Sequence, residues 1–174
     1  SFGDMTLNAA ARKGSGAANS DGSSSGAGQG AMDFALTGPG SMLGVDGLSW
    51  GIGYGEAEAG AEGNASGAKD KNEHMTVFAN YSAGPVTIGY QHSNISNGGN
   101  GATDEITDAF GIAVNINENL SVSYGERDVE FDKASGTNVT EDGDGIAVAY
   151  TMGSMKIAGN RNEVANNNGT AGSD

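Results

Sequence analysis

The chain has 174 residues, a formal charge of −14, 31 glycines, two prolines and no cysteine. Without cysteine there are no disulfides, thiolate metal sites or cysteine nucleophiles, and the acidic balance argues against nucleic acid as a partner, because phosphate recognition needs clustered Lys and Arg. Glycine at this abundance, beside many Ala, Ser and Asn, does not build a large apolar interior, so thin walls, turns and loops are expected.

No segment approaches the roughly 20 apolar residues of a membrane helix, and Ser1 is not followed by a charged and then apolar leader. Transmembrane strands need only about 9–11 alternating residues and escape a hydropathy search. Helical periodicity is missing, whereas alternation predicts nine strands. The first covers Asp4–Lys13, with Met5, Leu7, Ala9 and Ala11 on one face and Thr6, Asn8, Ala10 and Arg12 on the other. The second, Ala31–Thr37, sets Met32, Phe34 and Leu36 to one side. The third, Gly47–Glu58, places Leu48, Trp50, Ile52 and Tyr54 opposite Ser49, Gly51, Gly53 and Gly55.

The fourth and fifth strands form a hairpin across Ala83-Gly84-Pro85, with Met75, Val77, Ala79, Tyr81 and then Val86, Ile88, Tyr90 on the apolar parity. The sixth and seventh meet at Asn117-Glu118-Asn119, giving Ile106, Phe110, Ile112, Val114, Ile116 and then Leu120, Val122, Tyr124. The eighth and ninth turn at Gly153-Ser154, giving Ile146, Val148, Tyr150, Met152 and then Met155, Ile157.

Short turns near 38–46, 83–85, 117–119 and 153–154 alternate without exception with long Gly/Ser/Asn/Asp loops at 14–30, 59–73, 95–104, 132–142 and from 163 onward. Such alternation is expected of an all-β, antiparallel, up-and-down transmembrane barrel, with short turns on one side of the membrane and long loops on the other. All five tyrosines (Tyr54, Tyr81, Tyr90, Tyr124, Tyr150) and Trp50 share the apolar parity, as aromatic belts at the membrane interfaces require. The opposite parity is small and polar, as a water-filled lumen would be, and makes Gln91 and Asn115 pore-lining candidates. Charged residues on the apolar parity, Asp108, Glu126, Asp128 and Arg161, fall near the long-loop ends of their strands. Val86–Tyr90 and Leu120–Tyr124 supply only three outward apolar positions each, which points to cover by a neighbouring subunit.

The segments Ser1-Phe2-Gly3-Asp4-Met5-Thr6-Leu7, Gly51-Ile52-Gly53-Tyr54-Gly55-Glu56, Gly84-Pro85-Val86-Thr87-Ile88-Gly89-Tyr90-Gln91, Asn119-Leu120-Ser121-Val122-Ser123-Tyr124 and Ala149-Tyr150-Thr151-Met152-Gly153 resemble the general porins of Gram-negative bacteria, closest to those of marine alphaproteobacteria. The resemblance implies a homotrimer of sixteen-stranded barrels in the cell outer membrane, surrounded by outer-membrane lipid and lipopolysaccharide, that passes small hydrophilic solutes and ions by diffusion. It implies that residues 1–174 are a single barrel domain truncated at both ends, roughly strands 7 to 15, with the inward-folded third loop outside the chain. Porins of this type line the wall opposite that loop with arginines. Arg12 and Arg127 fit this role by parity, and Lys156 is inward beside a short turn.

The acidic loops, with Asp21, Glu62, Asp70, Glu73, Asp104, Glu105, Asp132, Glu141, Asp142 and Asp144, suit divalent cations that bridge lipopolysaccharide phosphates, although such loops are ordinarily just solvated. Their charge predicts a weak cation preference at the mouth. His74 and His92 are the only histidines and accompany no nucleophile elbow, so no enzyme, cofactor or metal centre is expected. The alternative is a glycine-rich secreted or surface β protein, an adhesin or solenoid. A solenoid needs a repeat of fixed length, and the strand starts are unevenly spaced.

Overall fold

The computed structural model of the chain describes residues 4–12, 30–58, 71–98 and 103–173. Their strands are β1 (Thr6–Arg12), β2 (Ala31–Pro39), β3 (Leu48–Glu58), β4 (Lys71–Ala83), β5 (Val86–Ser96), β6 (Thr103–Asn115), β7 (Leu120–Lys133), β8 (Val139–Met152) and β9 (Met155–Ala165). All nine lie in one antiparallel sheet in chain order, each strand bonded to its sequence neighbours.

The tight turns follow from local chemistry. Gly84 and Gly153 open two-residue hairpins with φ of 57° and 60°, a conformation that residues with a Cβ rarely adopt. At the β6–β7 turn the Asn117 side-chain oxygen accepts hydrogen bonds from the backbone N–H groups of Asn119 and Leu120, both at 2.9 Å, closing an Asx turn.

Several strands run further than apolar alternation indicates. β4 starts at Lys71, β5 extends to Ser96, and β7 and β8 leave only residues 134–138 between them. The predicted loop at 132–142 is therefore mostly strand, and Glu73, Asp104, Glu105, Asp132, Glu141, Asp142 and Asp144 are strand residues rather than loop residues. On the opposite edge, residues 40–47 join β2 to β3 through a 3-10 turn at Gly40–Leu43 and are longer than the 134–138 connection. The two classes of connection therefore overlap in length, although 97–102 and 134–138 still exceed the turns next to them, 84–85, 116–119 and 153–154, so longer and shorter connections keep alternating. Along β7 and β8 the outward positions change from apolar to carboxylate while the backbone ladder continues, so polarity mimics a loop. The predicted loops at 14–30 and 59–73 fall almost wholly outside the described residues, as do Lys13, Asp21, Glu62 and Asp70.

The sheet is staggered. Following register partners from Thr6 through Thr37, Gly51, Phe78, Gln91, Ala109, Arg127 and Gly143 ends at Val164, nine residues beyond Met155, the first residue of β9. Nine residues of rise across eight strand spacings correspond to a tilt of about 38°, using roughly 3.3 Å per residue and 4.8 Å between strands.

No described layer covers either face fully. Val129 is the one buried apolar side chain among the described residues, at 6% exposure, while Ile146 and Ile157 stand 48% and 60% exposed.

Candidate functional site

The sheet register puts Trp50, Tyr54, Tyr81, Tyr90, Tyr124 and Tyr150 on one face, together with Phe34, Ile52, Ile88, Phe110, Ile112, Ile146 and Ile157. This is the apolar parity read from the sequence, here called the outer face. Tyr81 and Tyr150 stand near the tight-turn edge, as does Trp50. Three tyrosines instead mark where the apolar band ends towards the other edge. The Tyr54 hydroxyl donates to Glu73 at 2.8 Å, that of Tyr90 to Asp108 at 2.5 Å, and that of Tyr124 to Glu126 at 3.3 Å. His92 Nδ1 lies 2.8 Å from the same Asp108 oxygen, tying β5 to β6.

Beyond these tyrosines the outer face is acidic, in rows that cross the strands. Asp108 faces Asp128, which faces Asp142. Glu126 faces Asp144, which faces Glu163, and Asp104 faces Asp132. Lys71 and Arg161 soften the fringe by pairing with Glu56 at 2.6 Å and with Glu163 respectively. Among the described residues, no cluster of three or more His, Asp or Glu side chains is placed to hold a metal ion.

The inner face has the opposite character. Asn80, Gly89, Gly111, Gly125, Gly145 and Asn162 are register partners in one row, so a strip four strands wide carries no side chains between two amides. Its first part, Asn80, Gly89 and Gly111, lines a shallow trough of about 600 Å³ together with Phe78, Gln91 and Ala109. Hydroxyls bond across strands beside it, Thr76 with Ser93 and Ser82 with Thr87, both at 3.0 Å, and the Gln91 amide donates to Ser93 at 3.1 Å. Polar side chains here satisfy one another without large groups, which keeps the surface wettable and thin.

All five pore-lining candidates fall on this face. Gln91 and Arg127 share one row, with Ala109 between them. Asn115 faces Ser121, and Lys156 faces Thr151, both near the tight turns. Arg12 ends β1 at the far side of the sheet, in a recess shared with Asp33. The structure therefore sets Gln91 and Arg127 in one row two strands apart, with no hydrogen bond between them, and places the other three elsewhere on the face.

Arg127 is not an isolated wall charge. Its guanidinium donates to Glu141, whose side chain is 8% exposed against 55% for the arginine. Glu141 also accepts the backbone N–H of Asn168 at 2.8 Å, because residues 166–173 leave β9 and fold back over the inner face. Asn166 and Asn168 adopt left-handed φ of 56° and 53°, which Asn tolerates better than most residues. The Asn166 side chain donates to the Thr140 carbonyl at 3.0 Å and accepts from Gly172 N–H at 2.9 Å. Lys133 Nζ donates to the Gly169 carbonyl at 3.1 Å. Sequence patterning places Glu141 in an acidic loop and sees only a loop after 163. The available signal is the Asn166-Asn167-Asn168-Gly169 run, a string of left-handed-tolerant residues directly after an alternating strand.

No protein-family model matches the chain, and no curated protein matches it.

Proposed function

We propose that this sheet is part of the wall of an outer-membrane porin, a trimeric sixteen-stranded barrel through which small hydrophilic solutes and ions diffuse. The observation that carries the reading is the inversion of the usual burial pattern. An apolar face bounded by tyrosines is left open to the surroundings, and the face opposite is small, polar and side-chain-poor. In water the apolar face would be a liability, whereas against lipid it is the favoured arrangement. From β3 onward the strands have 11 to 14 residues, long enough for a crossing of about 9–11.

The stagger supports the same reading. A tilt of about 38° lies within the 35–45° of transmembrane barrels. Sixteen strands at that tilt close a ring of about 97 Å circumference and roughly 15 Å radius, wide enough for an aqueous channel. The outer apolar run remains short on β7, where Leu120, Val122 and Tyr124 give way to Glu126, and cover by a neighbouring subunit at that position accounts for it. The described inner-face charges nearly balance, Arg12, Arg127, Lys133 and Lys156 against Asp33, Glu105 and Glu141, so this wall has little ion preference of its own. A weak cation preference then rests on the loops rather than on the outward carboxylates of the strands.

Single-channel recording of the full-length protein in planar bilayers tests this directly. Stepwise conductance that scales with bulk salt is expected. Stable incorporation with no conducting steps would sink the proposal.

A further inference from the structure

The geometry points to Glu141 as a positioning residue that latches segment 166–173 onto the inner wall, so that this segment narrows the channel and Arg127 is held as a neutralised partner rather than a free cation. The inference rests on the channel reading for its consequence, but the latch itself is visible in the chain's own contacts.

Glu141 is a carboxylate at 6% exposure on a sheet with almost no buried side chains, and a charge in that position needs donors. It has two, the Arg127 guanidinium from the next strand and the Asn168 N–H from the folded-back segment. The segment is also closed on itself, with Asn167 N–H donating to the Ser173 carbonyl at 3.0 Å and the Ser173 hydroxyl donating to the Thr170 carbonyl at 2.8 Å. It seats Gly169 against the Phe131 ring so closely that an added Cβ would lie 2.7 Å from Cδ2. Three inner-face side chains, Phe131 and Lys133 from β7 and Glu141 from β8, and the backbone carbonyl of Thr140 thus converge on one short segment.

The electrostatic consequence has a definite sign. With Glu141 ionised, the pair adds no net charge to the wall. Without it, Arg127 becomes an uncompensated cation facing the lumen, and the segment loses its deepest hydrogen bond. Loss of Glu141 should therefore widen the passage and pull its selectivity towards anions.

Three variants of the full-length protein separate these effects. Glu141→Ala removes charge and acceptor, Glu141→Gln removes the charge but keeps an acceptor, and Asp142→Asn makes the same charge change one residue away on the outer face. Hydrogen exchange in detergent is expected to show the Asn168 amide protected in the wild type and exchanging about tenfold faster or more in Glu141→Ala, since a bond to a charged acceptor is lost. In bilayers, Glu141→Ala should raise conductance and displace the reversal potential towards anions. Glu141→Gln should give the displacement with a smaller rise, and Asp142→Asn should give neither. An unprotected Asn168 amide in the wild type overturns the latch. Wild-type conductance and reversal potential in Glu141→Ala, or equal shifts in Glu141→Gln and Asp142→Asn, overturn the constriction. A folded protein that conducts nothing would overturn the channel reading and the constriction with it, while protection at Asn168 would still establish the latch.

Discussion

Glu141 and Asp142 are consecutive in β8 and chemically near-identical, yet they occupy opposite environments. Glu141 is buried on the inner face with two hydrogen-bond donors. Asp142 is exposed on the outer face, at the end of a row in which its register partner, Asp128, and the next, Asp108, are also acids. A strand has a side-chain period of two, so one step along the chain exchanges one side of the wall for the other. In this protein the side, more than residue type or sequence neighbourhood, decides what a residue does.

The most severe way to break the contrast is to put a cation on each face in the middle of the sheet. Ile112 is outward between Ile88 and Tyr124, and Ala113 is inward between Thr87 and Ser123. Ile112→Lys should lose about 2–4 kcal/mol of folding free energy in lipid, the penalty of a lysine near a bilayer midplane. Ala113→Lys should fold nearly as well as the wild type and alter conductance instead. Urea titrations in lipid vesicles read the first effect. Equal destabilisation by both substitutions would mean that the two faces are not lipid and water.

A smaller effect isolates the seat of segment 166–173. Gly169 and Gly172 have φ of 65° and 76°, and both pay a left-handed penalty when a Cβ is added. Only Gly169 also meets the Phe131 ring, since nothing lies within 4 Å of a Cβ built on Gly172. Gly172→Ala should cost about 1–2 kcal/mol of local stability and Gly169→Ala more. Exchange rates of amides 166–173 measure both. Equal rates in the two variants would show that the segment does not rest on Phe131.

The contrast also shows what sequence patterning can reach. Apolar alternation reveals the strands and their faces, because Tyr54, Tyr90 and Tyr124 keep step with Ile52, Ile88 and Val122. It also puts Arg12, Gln91, Asn115, Arg127 and Lys156 on the inner side. It fails where the outer face turns acidic. Asp132 keeps the parity of Tyr124, and Asp142 and Asp144 keep that of Ile146, but without apolar contrast they resemble loop. Glu141 is illegible for a different reason. Its burial depends on a segment some 27 residues later in the chain folding back across the sheet, which no local pattern encodes.

The smallest expected effect concerns the acidic rows themselves. Like charges directly opposite in an antiparallel pair have Cβ atoms about 4.5–5.5 Å apart and destabilise it by a few tenths of a kcal/mol. Asp128 has an acid on both sides, Asp108 and Asp142, whereas Asp142 has Asp128 on one side and Ala165 on the other. Asp128→Asn should therefore stabilise the sheet by about 0.5 kcal/mol at low salt, and Asp142→Asn by about half as much. Screening fixes how the gain must behave. The Debye length falls from about 30 Å at 0.01 M to 3 Å at 1 M, so repulsion across one strand spacing weakens strongly over that range. Both gains should shrink towards zero in 1 M salt, with Asp128→Asn remaining ahead throughout. Urea midpoints at the two salt concentrations decide it. A gain that survives 1 M salt would have to come from backbone propensity rather than charge, and a loss on Asp128→Asn would mean that the row is held together by bound cations instead of being strained by its own charge.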